Sequence, residues 1–175
     1  MRLFVSLPIS SQLETQLKSL PQKGIDARWV HEKDYHITLR FIGDAQEEQL
    51  ESIKESLNRI KVSSFSIEIE GLSHFTGQNT NILYANVQSK RKITSLAAEI
   101  NLQMQKNGFE MPQKPFVPHV TLARLRNSRN LDQYIKANSR KIRASWKAGA
   151  FELMESGKPQ DNMPRYTLLQ RYDLQ

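Results

Sequence analysis

Two short segments, YHITLRFI at 35–42 and HVTLA at 119–123, share the pattern His-x-Thr-Leu, and their histidines stand 83 residues apart in a chain of 175. Both alternate and are rich in β-branched or aromatic residues, so each predicts a strand. Successive side chains on a strand point to opposite faces. His36 and Thr38 therefore share one face, with Ile37 and Leu39 on the other; His119 and Thr121 share a face opposite Val120 and Leu122. Repetition at about half the chain length points to a duplicated unit that places the two motif strands side by side about a pseudo-twofold axis. Chance likeness of two short strands is the competing account.

The remaining segments fit around that pair. Residues 2–7 read as a strand, followed by a helix capped by Ser10 or Ser11 with Leu13, Leu17 and Leu20 on one stripe, ended by Pro21 and Gly24. Trp29 and Val30 form a short extended piece. Leu50, Ile53, Leu57 and Ile60 give a second helix over 46–60. Residues 65–70 and 82–87 alternate as strands, and 92–107 is a third helix with Gly108 as its C-cap. Pro112, Pro115 and Pro118 then deliver an extended chain into His119. A short helix over 131–137 precedes strands near 144–154 and 165–174, separated by the turn SGKPQDN at 156–162. The order is β-α-β-α-β-β-α-β-α-β-β, with no low-complexity stretch or flexible linker, and a single domain of two lobes over 1–175 is expected.

Composition narrows the chemistry. The chain lacks cysteine, which excludes disulfides, thiolate metal sites and a cysteine nucleophile, and suits a reducing cytoplasm. No run approaches the ~20 apolar residues of a membrane span, and MRLFVSLPIS is too short for a signal peptide. The formal charge of +7 favours polyanionic partners such as nucleic acid. Within RLRNSR at 124–129, phosphate tracking and a solvated face are equally good readings; SKRK at 89–92 reads as a solvated helix start. Nothing resembles a metal motif, and His31, Asp34 and His36 make a poor ligand face. His74 reads as structural or surface. Neither a cofactor nor an obligate protein partner is implied.

A cleft holding two imidazoles and two hydroxyls suits the opening of a phosphodiester ring. One neutral imidazole takes a proton from water while a protonated one supplies the departing ribose oxygen, and both forms coexist near neutral pH. Threonine hydroxyls and a guanidinium can donate to phosphate oxygens as their charge builds.

RWV at 28–30 with YHITLRFIGD at 35–44, then FVPHVTLAR at 116–124, resemble the signatures of the two-histidine (2H) phosphoesterase superfamily. They are most similar to the RNA 2',3'-cyclic phosphodiesterases, formerly called 2'-5' RNA ligases; RLFVSLPIS at 2–10 matches that group's opening strand. The resemblance implies a bilobal α+β fold, with antiparallel strands of both lobes lining a central cleft and helices packed outside. It implies hydrolysis of RNA 2',3'-cyclic phosphate ends to a 2'-phosphate, with His36 as proton donor, His119 as proton acceptor, and Thr38 and Thr121 holding phosphate. The expected partners are RNA ends or nucleotide cyclic phosphates. The arginine is contested: the family pattern favours Arg124, whereas strand parity puts Arg40 on the histidine face and Arg124 on the wrong one unless a bulge brings it round. Arg124 is preferred and Arg40 held second. Phe41, Phe116, Trp29 and Trp146 read as packing residues before base platforms. Open alternatives are 2'-5' linked oligonucleotides or small cyclic nucleotides as substrates, and a non-catalytic RNA-binding module.

Overall fold

In the computed structural model, described for residues 1–77, 81–158 and 163–175, the chain runs β1 (Arg2–Pro8), α1 (Ser11–Lys18), β2 (Ala27–Trp29), β3 (His36–Asp44), α2 (Leu50–Asn58), β4 (Phe65–Phe75) and β5 (Ile82–Val87). It continues through α3 (Lys90–Lys106), β6 (His119–Leu125), α4 (Leu131–Asn138), β7 (Arg143–Ala148), β8 (Ala150–Ser156) and β9 (Tyr166–Asp173). Local chemistry sets several boundaries. The Ser10 hydroxyl caps α1 by accepting from the Leu13 amide, with Glu14 in the first turn and Lys18 in the last to complement the helix dipole. The extended segment expected at 144–154 is two strands that turn about Gly149. Strand β4 continues past its alternating start to Phe75 by a register shift around Gly71, whose φ of +76° suits glycine. The turn foreseen at 156–162 falls partly on residues 159–162, outside the described residues.

All pairings are antiparallel, and the nine strands form one sheet in the order β7-β4-β5-β6-β3-β1-β8-β9, with β2 added beside β6. The sheet consists of two four-stranded halves, β3-β1-β8-β9 and β6-β5-β4-β7. They meet where β3 and β6 share a single bridging pair, Ile37 opposite Val120. These are the middle residues of the two motifs, so the pseudo-twofold axis passes between them.

Ile37 and Val120 are fully buried, as are most apolar residues of the helices: Leu13, Leu17, Ile53, Leu57, Ile93, Leu96 and Ile100. Together they form one core on the face opposite the motif histidines. Two helices cross between halves. Helix α1 follows β1 of the first half but packs against β7 of the second, where the Gln16 amide exchanges hydrogen bonds of 2.8 and 2.9 Å with the Arg143 backbone. Helix α3 follows β5 of the second half and packs against β3 of the first. Among the described residues no helix is long and apolar enough to cross a membrane.

Candidate active site

Both motif strands carry the same irregularity. In β3, Val5 of β1 pairs with Arg40 and Ser6 pairs with Thr38, leaving Leu39 as an extra residue. In β6, Leu83 of β5 pairs with Ala123 and Tyr84 pairs with Thr121, leaving Leu122 extra. A bulge of this kind resets which face the following residues occupy. The consequence is the same burial sequence in both strands: partly buried His and Thr, two consecutive buried residues, then an exposed one. In the second half the exposed residue is Arg124; in the first half it is Phe41.

This corrects two expectations. Arg40 does not share the histidine face: it is only 7% exposed and its guanidinium donates to the Glu110 carbonyl in the proline-rich connection. Simple alternation failed because it assumed an unbroken ladder between His36 and Arg40. Phe41 is not a packing residue, being 66% exposed on the cleft wall. Arg124, at the equivalent position, is turned into the cleft by the bulge at Leu122.

The cleft has a volume of about 600 Å³, and its walls include His36, Thr38, Phe41, Thr121, Arg124 and Tyr166. His119 lies beside it, on the same face of β6 as Thr121 and cross-strand from Asn86. Extending the antiparallel register from Ile37 and Val120 by one residue each way sets His36 against Thr121 and Thr38 against His119. Each imidazole thus neighbours a threonine of its own strand and one of the partner strand.

The two rings are held alike. His36 Nδ1 lies 2.7 Å from the Asp34 carbonyl and His119 Nδ1 lies 2.7 Å from the Val117 carbonyl, each two residues upstream. A carbonyl only accepts, so Nδ1 carries the proton in both and Nε2 is left for chemistry. His36 Nε2 meets the Thr38 hydroxyl at 2.9 Å. Aromatic rings enclose both imidazoles: Phe4 at 5.0 Å and Tyr166 edge-on at 5.2 Å for His36, Phe75 edge-on at 5.3 Å and Tyr84 at 5.2 Å for His119. Burial in these sleeves pulls both imidazoles below their ordinary 6.5, because it disfavours the charged ring. For His36 the carbonyl bond and the Asp34 charge oppose that fall, while the nearby His119 adds to it.

Asp34 and Tyr166 are parts of the site that motif reading did not supply. The Asp34 carboxylate, only 6% exposed, accepts from the Arg165 and Tyr166 backbone amides at 2.8 and 3.3 Å. It therefore ties the start of β9 over His36 while its own carbonyl orients the ring. Tyr166 is 130 residues from His36, and no sequence periodicity links them. His31 accepts from the Lys33 amide, and His74 sits 3.7 Å from Asp132 on the surface. Trp29 and Trp146 pack against the core edge, as does Phe116.

Comparison with known proteins agrees with this geometry. The chain is 28% identical over 133 residues to the RNA 2',3'-cyclic phosphodiesterase of Thermotoga maritima, covering 72% of this chain and 71% of that one. It is 32% identical over 120 residues to the protein of that name from Aeropyrum pernix, covering 67% and 68%. E. coli LigT complexed with 3'-AMP superposes with a TM-score of 0.81 at 23% identity over 99% and 97% of the two chains. A Thermus thermophilus protein, TT0787, gives 0.74 at 24% over 99% and 98%. Residues 10–160, which contain both motifs, match the family profile as well, and the chain belongs to the 2'-5' RNA ligase superfamily.

Proposed function

We propose that the protein hydrolyses RNA 2',3'-cyclic phosphate ends to 2'-phosphates by two-histidine acid–base catalysis. The observation that carries this reading is the pair of Nδ1-anchored imidazoles, each beside a threonine hydroxyl across one pseudo-twofold axis. Relatives named RNA 2',3'-cyclic phosphodiesterase support the substrate.

In the proposed reaction His119 Nε2 takes a proton from water as its oxygen attacks phosphorus. The bond from phosphorus to the 3'-oxygen breaks on the opposite side, and His36 Nε2 delivers a proton to that oxygen. Thr38, Thr121 and Arg124 donate to the non-bridging oxygens, where charge accumulates. The residues supply every proton transfer in this scheme. Burial opposes the charged form of His36, but the Asp34 carboxylate favours it, and bound phosphate adds a second negative charge. No carboxylate performs the same service for His119 among the groups that shift it, which supports His36 as the donor. Phe41 offers a flat apolar surface for the terminal base. A cysteine-free chain of this chemistry suits the cytoplasm.

The test is incubation with an RNA ending in a 2',3'-cyclic phosphate, with EDTA present. A 2'-phosphate product is expected. A 3'-phosphate would reverse the leaving group, and tight, salt-sensitive binding without turnover would favour a non-catalytic RNA-binding module. Faster turnover of 2'-5' linked oligonucleotides or small cyclic nucleotides than of RNA ends would reassign the substrate.

A further inference from the structure

The pseudo-twofold axis relates the four strands of one half to the four of the other, and β2 is an addition without a counterpart among the described strands. It pairs with β6 where β3 has diverged, and sets Arg28 directly opposite Arg124. Both side chains line the cleft. Like charges on directly opposite strand positions repel and cost stability unless something negative lies between them. Neither arginine joins an ion pair among the described residues. Of the other cations on the cleft wall, Arg126 pairs with Asp26 at 3.3 Å, Lys18 pairs with Glu14 and Glu32 at 2.6 and 3.3 Å, and Arg165 lies beside the Tyr166 ring with its Nε donating to the Gly157 carbonyl at 3.1 Å.

At the corresponding end of the other half an apolar side chain stands where the arginine does. Phe41 occupies the position of Arg124, and the connection before β6 carries Pro112, Pro115 and Pro118, which lack the amide needed to add a strand beside β3. The cleft wall therefore carries the Phe41 ring at one end, a central pair of threonines, and the Arg28 and Arg124 guanidiniums at the other.

A ribose with a 2',3'-cyclic phosphate has the same order. The base leaves from C1', the cyclic phosphate spans the 2',3' edge, and the 5'-phosphate leaves through C4' on the far side. With Arg124 on the reacting phosphate, Arg28 is one strand further out, where the next anion of a chain arrives. We infer that Arg28 forms a subsite for the internucleotide phosphate upstream of the terminal nucleoside, so that the enzyme selects RNA ends over cyclic mononucleotides. This rests on the cyclic-phosphate reading of the central site.

The experiment compares kcat/KM for three substrates: a 2',3'-cyclic mononucleoside phosphate, the same compound bearing a 5'-phosphate, and a dinucleotide ending in a 2',3'-cyclic phosphate. The wild-type protein should prefer the second and third over the first by about tenfold or more. Arg28→Ala should bring that ratio close to one, Arg28→Lys should restore part of it, and Arg124→Ala should slow all three. The salt dependence of dinucleotide turnover should weaken by about 0.7 in log–log slope in Arg28→Ala, one phosphate's worth for a single strand. A wild-type ratio near one, or a ratio unchanged in Arg28→Ala, overturns the subsite. Turnover of none of the three by the wild type overturns the reading of the central site instead. Should Arg28→Ala not fold, Arg28→Gln carries the same comparison.

Discussion

Each motif imidazole is caught between two opposing demands. Its aromatic neighbours and the carbonyl at Nδ1 fix how the ring sits, but the burial they bring lowers its affinity for a proton. Hydrolysis by the proposed route needs one protonated and one neutral ring. Because both rings are shifted below 6.5, the free protein holds that mixed state best on the acid side of 6.5. The profile of kcat/KM should therefore peak below pH 6.5 and fall about tenfold per unit at alkaline pH as the donor loses its proton. The kcat profile should lie at higher pH, since bound phosphate favours imidazolium. A kcat/KM optimum above 6.5 would contradict this account. His36→Ala and His119→Ala should each lower kcat/KM by at least about 10²-fold, the scale of a lost general acid or base, with circular dichroism unchanged. The sign for stability follows from the same shifts. The unfolded chain binds protons on these rings more readily than the native one, so stability present above pH 6.5 is lost as pH falls below it.

At the level of the strand, one inserted residue decides which side chains face the cleft. Alternation placed His36 with Thr38 and His119 with Thr121, because no irregularity intervenes between i and i+2. It misplaced Arg40 and Phe41 because the extra residue, Leu39, becomes visible only once β1 is paired beside β3. A local pattern carries no information about a ladder made with residues 35 positions away. The same limit hid the partner of the extended piece at Trp29, since the pairing of β2 with β6 spans almost 100 residues, and hid Tyr166, brought over His36 by a buried Asp34. The exchanged positions make contrasting predictions. Arg40→Ala should cost about 1–3 kcal/mol of stability through the lost bond to Glu110 and the emptied volume, while KM stays within about threefold. Phe41→Ala, on an exposed position, should change stability by no more than about 0.5 kcal/mol. Its loss should instead lower kcat/KM for base-bearing substrates about 5- to 150-fold, the worth of one aromatic stack at about 1–3 kcal/mol. Denaturant titration and steady-state kinetics on the two variants read these effects separately, and a tenfold rise in KM for Arg40→Ala would return that guanidinium to the substrate.

Across the whole molecule the two halves touch through very little of the sheet, a single bridging pair at Ile37 and Val120. A hinge at that seam would pull apart the imidazoles and the threonines of the opposite strand. What opposes it is the exchange of helices: α1 leaves the first half to pack on β7, and α3 leaves the second to pack on β3. Unfolding one half would strip a helix from the other and expose its part of the shared core. Single-domain behaviour over 1–175 follows as a prediction, and the tryptophans provide the means to test it. Trp29 on β2 and Trp146 on β7 both belong to the second half, so their fluorescence reports that half alone, whereas far-UV circular dichroism reports both. The two transitions in urea should coincide, as they do for one cooperative unit. Leu17→Ala, in a helix that belongs by sequence to the first half, should move both midpoints down together, each transition losing the about 2–5 kcal/mol of unfolding free energy typical of a buried leucine. A fluorescence transition that separates from the dichroism transition, in either protein, would mean that the halves unfold independently and that the histidine pair is held by the seam alone.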